Sequence, residues 1–344
     1  MHYIRFFKLP TLEKTEEGFE GTIVKATVTV TTDLGEYPLR EDINLYVEYK
    51  SPRLGLCRQG YKWKGRDGMR SLDIKLHIPH QNPPQNLTMF VSPDECMSLD
   101  HLETLFLGDG GVSSIGGEGI IFPAACPFNS SERLPAEWKI AQRPFSIAGN
   151  RMYIWEETGE TIEGHLWDAG LMLSAYLASI SPANENPGVP KVAQYLPQLP
   201  TLERQLSRPD LNIIELGAGC GLVSITLSAL YHQNISSILL TDLPNATPII
   251  ERNLRAHSFL LKSYDVPYKC GHQVLNWAEP LPSNVQETKW DLVVLSDCTY
   301  NQDVARHLVQ TLKRLEGALV LLAMKIRNDS ELVFFDLMKR LDLW

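Results

Sequence analysis

The chain has 344 residues, 44% of them hydrophobic and 21% charged, with a formal net charge of −9. Such a sequence can bury a core large enough for one large or two ordinary globular domains. The acidic balance disfavours general nucleic-acid binding, which needs clustered Lys and Arg to neutralise phosphates.

The opening stretch, MHYIRFFKLPTLEKTEEGFE, has no apolar run of signal-peptide length, and no segment approaches the roughly 20 apolar residues of a membrane-spanning helix. Six cysteines (Cys57, Cys96, Cys126, Cys220, Cys270, Cys298) are scattered without a C-x-x-C pair, as free thiols of a reducing compartment are. The expectation is an intracellular, cytoplasmic protein, with the nucleus as a second compartment and no membrane partner. On that reading the N-x-S/T tripeptides at Asn86, Asn129 and Asn234 are coincidental.

The first 144 residues form a β-rich region to which the sequence assigns no role. TIVKATVTVT (22–31) is dense in β-branched residues, and INLYVEY (43–49) and LDIKLHI (72–78) alternate as half-buried strands do. Residues 51–70 read as a long hairpin loop with six basic side chains (Arg53, Arg58, Lys62, Lys64, Arg66, Arg70) around Tyr61 and Trp63. That loop is either a grip for RNA or an acidic protein surface, or a solvated tip. The Gly/Ser/Pro-rich stretch 108–135 reads as irregular chain.

From about residue 145 the pattern changes. RMYIWEE (151–157) is a short strand, and HLWDAGLMLSAYLASI (165–180) spaces its apolar residues as an amphipathic helix does. A Pro/Asn-rich insertion (181–200) follows. Apolar strands then alternate with helices: LNIIEL, SSILLTD, KCGHQVLNW, WDLVVLSD and ALVLLAMKI, separated by 220–232, 245–261 and 304–317 and followed by 330–341. That alternation specifies a parallel sheet covered on both faces, so residues 145–344 are expected to form a doubly wound α/β domain.

Ligands of such sheets sit beyond the carboxyl ends of the strands, where strand order reverses. The first strand ends in Glu215-Leu-Gly217-Ala-Gly219-Cys-Gly221, a glycine turn feeding a helix N-terminus. Its G-x-G-x-G spacing is tighter than the dinucleotide fingerprint, which disfavours a nicotinamide enzyme. The second strand ends in Asp242, about 20 residues on, where a carboxylate suits ribose hydroxyls. Trp277, ending the third, either covers an adenine face or packs in the core; Trp167 either closes the pocket or packs its helix. The fourth strand ends in Ser296-Asp297-Cys-Thr-Tyr300, a carboxylate and a phenol suited to an amine substrate, unless Asp297 only caps the helix opening near Gln302. No metal site is expected.

Residues 145–340 resemble the class I, seven-strand S-adenosylmethionine-dependent methyltransferases, and more narrowly the methyltransferase-like protein-lysine methyltransferases. HLWDAGLMLSAYL, NIIELGAGCGLVSI, TDLPNATPIIERNL, VLNWAEP and SDCTYN, with its D-x-x-Y signature, carry the resemblance in order. It implies a Rossmann-like sheet and S-adenosyl-L-methionine as cofactor. Gly217, Gly219 and Gly221 would line the methionine end above Glu215; Asp242 would bind ribose and Trp277 the adenine side. Trp167 and Ser296 would complete the pocket, and Asp297 and Tyr300 would face a target amine. The implied activity is lysine N-methylation of a cytosolic protein. A small-molecule N-methyltransferase and a non-catalytic interaction protein are the alternatives. The sequence departs from the class after its fifth helix: the usual last two strands are expected to be lacking, leaving the fifth strand uncovered. Oligomeric state is not legible.

Overall fold

Alternating apolar and polar residues, the pattern of a half-buried strand, dominate the N-terminal part of the chain. The computed structural model describes residues 1–14, 22–51, 55–78, 87–102, 105, 120–128, 140–159, 161–182, 198–258 and 269–341. They divide into two compact units, Met1–Ile162 and Glu163–Trp344.

The first unit contains β1 (His2–Lys14), β2 (Thr22–Thr31), β3 (Asp42–Ser51), β4 (Gly55–Lys64), β5 (Leu72–Ile78), β6 (Leu87–Pro93), β7 (Ile121–Phe122), β8 (Ala124–Phe128), β9 (Ile140–Ile147) and β10 (Asn150–Glu157). They form a four-stranded sheet, order β5-β2-β1-β7, and a six-stranded sheet, order β10-β9-β8-β6-β3-β4. Ile4, Val24, Val28 and Ile74 of the first share one buried cluster with Leu45, Val47, Met89 and Ala124 of the second. The architecture is a β-sandwich whose core lies between two inner faces.

Three expectations change here. Most of the supposed hairpin loop at 51–70 is strand β4, paired with β3 from Asp42↔Lys64 to Ser51↔Gly55. Trp63 is fully buried, with its indole N–H donated to Leu39 O at 2.9 Å, and Tyr61 OH binds Lys75 on the neighbouring sheet edge. Neither aromatic is a free stacking platform. Arg58 stacks over Tyr46 at 4.0 Å and pairs with Glu48 at 3.2 Å. Arg53 lies outside the described residues. Within 108–135, expected to be irregular, β7 and β8 are buried strands, while 108–119 and 129–135 lie outside the described residues. Finally, β10 pairs along its whole length with β9, across a turn in which Ala148 (φ 46) and Gly149 (φ 78) are both left-handed. Two such residues make the tight hairpin turn that matches strand twist. The strand at 150–157 therefore extends the sandwich, and the division falls after Ile162 rather than near residue 145.

The second unit follows the expected alternation. Its elements are α1 (Asp168–Ile180), α2 (Pro200–Leu206), β11 (Leu211–Leu216), α3 (Leu222–Tyr231), β12 (Ile235–Asp242), α4 (Thr247–Ala256), β13 (Lys269–Val274), α5 (Ser283–Glu287), β14 (Leu292–Ser296), α6 (Gln302–Arg314), β15 (Leu319–Ala323) and α7 (Val333–Arg340). The sheet order is β13-β12-β11-β14-β15, and every pairing is parallel. The chain winds outward from β11 to β13, then returns to place β14 on the other side of β11. The switch point thus lies between β11 and β14, and the turns leaving those strands flank the crevice. Among the described residues β15 pairs only with β14, and Val320 on it is exposed. No helix of the described residues is long and apolar enough to cross a membrane.

Candidate active site

The turn leaving β11 needs its glycines. Gly217, Gly219 and Gly221 have φ of 70°, 53° and 79°, the left-handed region that disfavours a side chain. A Cβ on Gly217 would lie 2.6 Å from Cys298 Sγ, and one on Gly221 2.8 Å from Leu240 Cδ2. Backbone bonds from Gly217 N and Ala218 N to Thr241 O, at 2.9 and 3.0 Å, fasten the turn to β12. From α4, the buried Asn253 donates its amide to Cys220 O at 2.8 Å, and Cys220 Sγ donates to Gly164 O at 3.1 Å.

Two carboxylates belong to this turn. Glu215 is fully buried; Ser224 N donates to its Oε2 at 3.1 Å and the Ser224 hydroxyl donates to the same oxygen. Burial outweighs those bonds and pushes its pKa up to about 8. Its other oxygen has no hydrogen-bond partner among the described residues. Asp242 ends β12 and accepts from Gly219 N at 2.7 Å and from Leu243 N at 2.7 Å. Burial raises its pKa, and the two N–H groups oppose the rise. The second-strand acid therefore touches the middle glycine. Trp277 also arrives here: a Cβ on Gly217 would stand 3.4 Å from its Cζ2.

The turn after β14 supplies the rest. Ser296 faces α1, 3.4 Å from where a Cβ on Gly170 would be. Asp297 has a left-handed backbone, φ 52°, and is nearly buried. Arg327 holds its carboxylate in a fork, Nη1 to Oδ1 and Nη2 to Oδ2, both at 3.0 Å. Ala169 N and Lys325 N also donate to it, at 3.3 and 3.0 Å. Helix α6 is capped instead by Asn301, whose side chain accepts from Asp303 N at 2.9 Å. Asp297 is therefore not that helix's cap. Tyr300 is half exposed, and burial of the remainder, followed by the neighbouring Cys298, raises its phenol above the usual range. Trp167 lies with its ring 5.7 Å from the Arg327 guanidinium, just before α1.

The structure thus gathers Gly217, Trp277 and Cys298 at one end, Gly219 with Asp242 beside them, and Asp297 with Trp167 through Arg327. Arg327, Lys325, Asp168 and Asn253 are functional candidates that the sequence reading passes over. Lys325 and Arg327 follow the fifth strand, and inspection of its end, as of the other four, brings them into view.

Residues 147–341 match the family described as "Lysine methyltransferase". The chain belongs to the lysine methyltransferase family. It is 25% identical over 346 residues to a UPF0665 family protein of Schizosaccharomyces pombe, a match covering 97% of this chain and 91% of that one. Protein-lysine N-methyltransferase EFM6 of Saccharomyces cerevisiae is 27% identical over 220 residues, 58% of this chain and 80% of EFM6. Mouse protein-lysine methyltransferase METTL21E is 30% identical over 151 residues, 42% of this chain and 57% of METTL21E. The fission-yeast match takes in the sandwich as well as the α/β unit, since it spans nearly the whole chain.

The methyl donor of this lysine methyltransferase is S-adenosyl-L-methionine. The residues present fit it. The glycine turn leaves the backbone bare for close approach, and α3 begins at its end with a glycine as N-cap, so that among its first N–H groups Ser224 N is held by Glu215. Beneath the turn, the unpartnered oxygen of Glu215 is a buried acceptor. An amino-acid end, carboxylate toward the helix and ammonium toward the acid, matches that pair of features.

Proposed function

We propose that this chain methylates the ε-amino group of lysine in a cytosolic protein and works in the cytoplasm, and also in the nucleus. The observation that carries the site assignment is the hydrogen bond from Gly219 N to Asp242, which puts the second-strand acid on the glycine turn at the β11/β14 switch point. On this reading Gly217, Gly219 and Gly221 hold the methionine end, with Glu215 beneath. Asp242 exchanges its backbone donors for ribose hydroxyls, Trp277 covers the adenine side, and Trp167 and Ser296 close the wall by α1.

When bound, S-adenosylmethionine supplies an electrophilic methyl group that carries its own leaving group, so the protein's task is positioning. A lysine attacks only as the neutral amine, and a dry channel lowers its pKa. Tyr300 holds its own proton, since its pKa is raised, and offers a ring face and a hydroxyl to the arriving amine. The turn Asp297–Tyr300 forms the wall against which that amine is aligned.

Calorimetry with S-adenosylmethionine, followed by transfer of a labelled methyl group into a cell lysate, tests the proposal. Heat of binding and label in acid-resistant protein bands are expected. Absence of heat and of thermal protection would point to a non-catalytic scaffold. Label confined to the small-molecule fraction would point to a free amine as substrate.

A further inference from the structure

We propose that Arg327 is the positioning residue of the target-lysine channel, and that Asp297 acts through it rather than by taking the target amine's proton. The inference rests on the lysine-methylation reading above and concerns the same crevice.

A carboxylate offers about four acceptor positions. Asp297 fills them with Arg327 Nη1, Arg327 Nη2, Ala169 N and Lys325 N, all between 3.0 and 3.3 Å. A side chain so occupied has no lone pair directed at a substrate. Its charge is met by the planar fork of a guanidinium, the geometry for which arginine has no substitute among the basic residues. A lysine ε-ammonium therefore finds no proton acceptor in this neutralised pair, and gives up its proton to bulk solvent on entering the channel.

The same bonds show what the pair does. Ala169 lies in the first turn of α1, Asp297 follows β14, and Lys325 and Arg327 follow β15, so three separate segments meet on one carboxylate. Asp297 N donates to Ala323 O at 2.9 Å, which helps hold the residue in its left-handed conformation. Arg327 is itself fixed. Its Nη1 donates to Lys325 O at 3.2 Å, its backbone N to the buried Glu331 at 3.2 Å, and its guanidinium lies over Trp167. A second ion pair, Lys325 Nζ to Asp168 Oδ2 at 2.7 Å, braces the same two segments nearer solvent. Tyr300 is three residues from Asp297, so the clamp sets where the phenol stands. The D-x-x-Y pair then divides its labour: the acid anchors the turn, and the phenol meets the substrate.

The test uses the full chain and the variants Arg327→Met, Arg327→Lys and Asp297→Asn. Amide hydrogen exchange at Ala169 and Lys325 reads the clamp directly, without activity. Arg327→Met is expected to raise exchange at both amides, and Arg327→Lys, which keeps the charge but loses the fork, to raise it less. Labelled-methyl transfer into lysate protein should fall by about tenfold or more in Arg327→Met, while calorimetric affinity for S-adenosylmethionine stays within about threefold of wild type. Asp297→Asn should do no more damage than Arg327→Met, and both should keep the wild-type rise of rate with pH. Unchanged exchange in Arg327→Met would overturn the clamp. So would loss of the pH rise in Asp297→Asn alone, which would make Asp297 the proton acceptor. Should wild-type protein transfer no methyl group to protein, the lysine-methylation reading falls, and the exchange experiment still decides the clamp.

Discussion

The two units bury charge in opposite ways. In the sandwich, Arg143 and Glu156 form an ion pair with no exposure to speak of, and Arg143 also donates to Phe122 O and Pro123 O at 3.1 and 3.0 Å. Every bond of that arginine ends inside its own unit, beneath Tyr3 and Phe122. In the α/β unit, Asp168 and Asp297 are likewise shielded, yet they stand at the mouth of α1 and at the carboxyl end of β14. One arrangement closes a core, and the other rims a crevice. Buried charge alone therefore does not mark an active site; its place on the sheet does.

Substitutions in each unit sharpen that contrast. Arg143→Ala strands Glu156 in the sandwich core and should destabilise the N-terminal unit by about 3–5 kcal/mol. Denaturant unfolding followed by probes in that unit reads the loss, while affinity for S-adenosylmethionine should hold. Gly217→Val should do the reverse. Its side chain collides with Cys298 and requires a left-handed backbone, so cofactor affinity should drop about a hundredfold, roughly 2.7 kcal/mol, in calorimetry.

Glu215 gives the contrast a pH signature. Its pKa rises from 4.5 in the unfolded chain to about 8 in the fold, so the folded state keeps a proton that the unfolded state releases. The stability it contributes is complete below 4.5 and lost as pH rises to about 8. The slope between those limits is about 1.4 kcal/mol per pH unit at its steepest. Glu215→Gln should flatten that decline in the α/β unit, as thermal midpoints measured across the window would show. The smallest effect belongs to the sandwich edge. Tyr61→Phe removes the hydroxyl that donates to Lys75 O and accepts from Lys75 N, and should cost about 1 kcal/mol.

Legibility in the sequence follows the same division. Strands β11 and β14 are near-continuous apolar runs because the central strands of a parallel sheet are covered on both faces, so composition and length suffice to find them. In the sandwich, β2, β3 and β5 alternate openly. Strand β4 hides its alternation behind Arg58, Gly60, Lys62 and Lys64, which all share the outer face, and β9 hides its own by turning Arg143 inward. Strand β1 contains Pro10 and two register shifts, which break its period of two. At the site, the glycines, Asp242 and Tyr300 are readable because local spacing fixes them at strand ends. The Asp297–Arg327 fork joins residues 30 apart, and spacing along the chain specifies no such partner.

The most direct test of lysine methylation is the chemical identity of the labelled product. Lysate protein methylated by wild-type chain is hydrolysed to amino acids, in parallel with protein exposed to Gly217→Val. Label is expected as methyl-lysine with the wild type and at background with the variant. Label in another amino acid, or equal label from both proteins, would contradict lysine methylation.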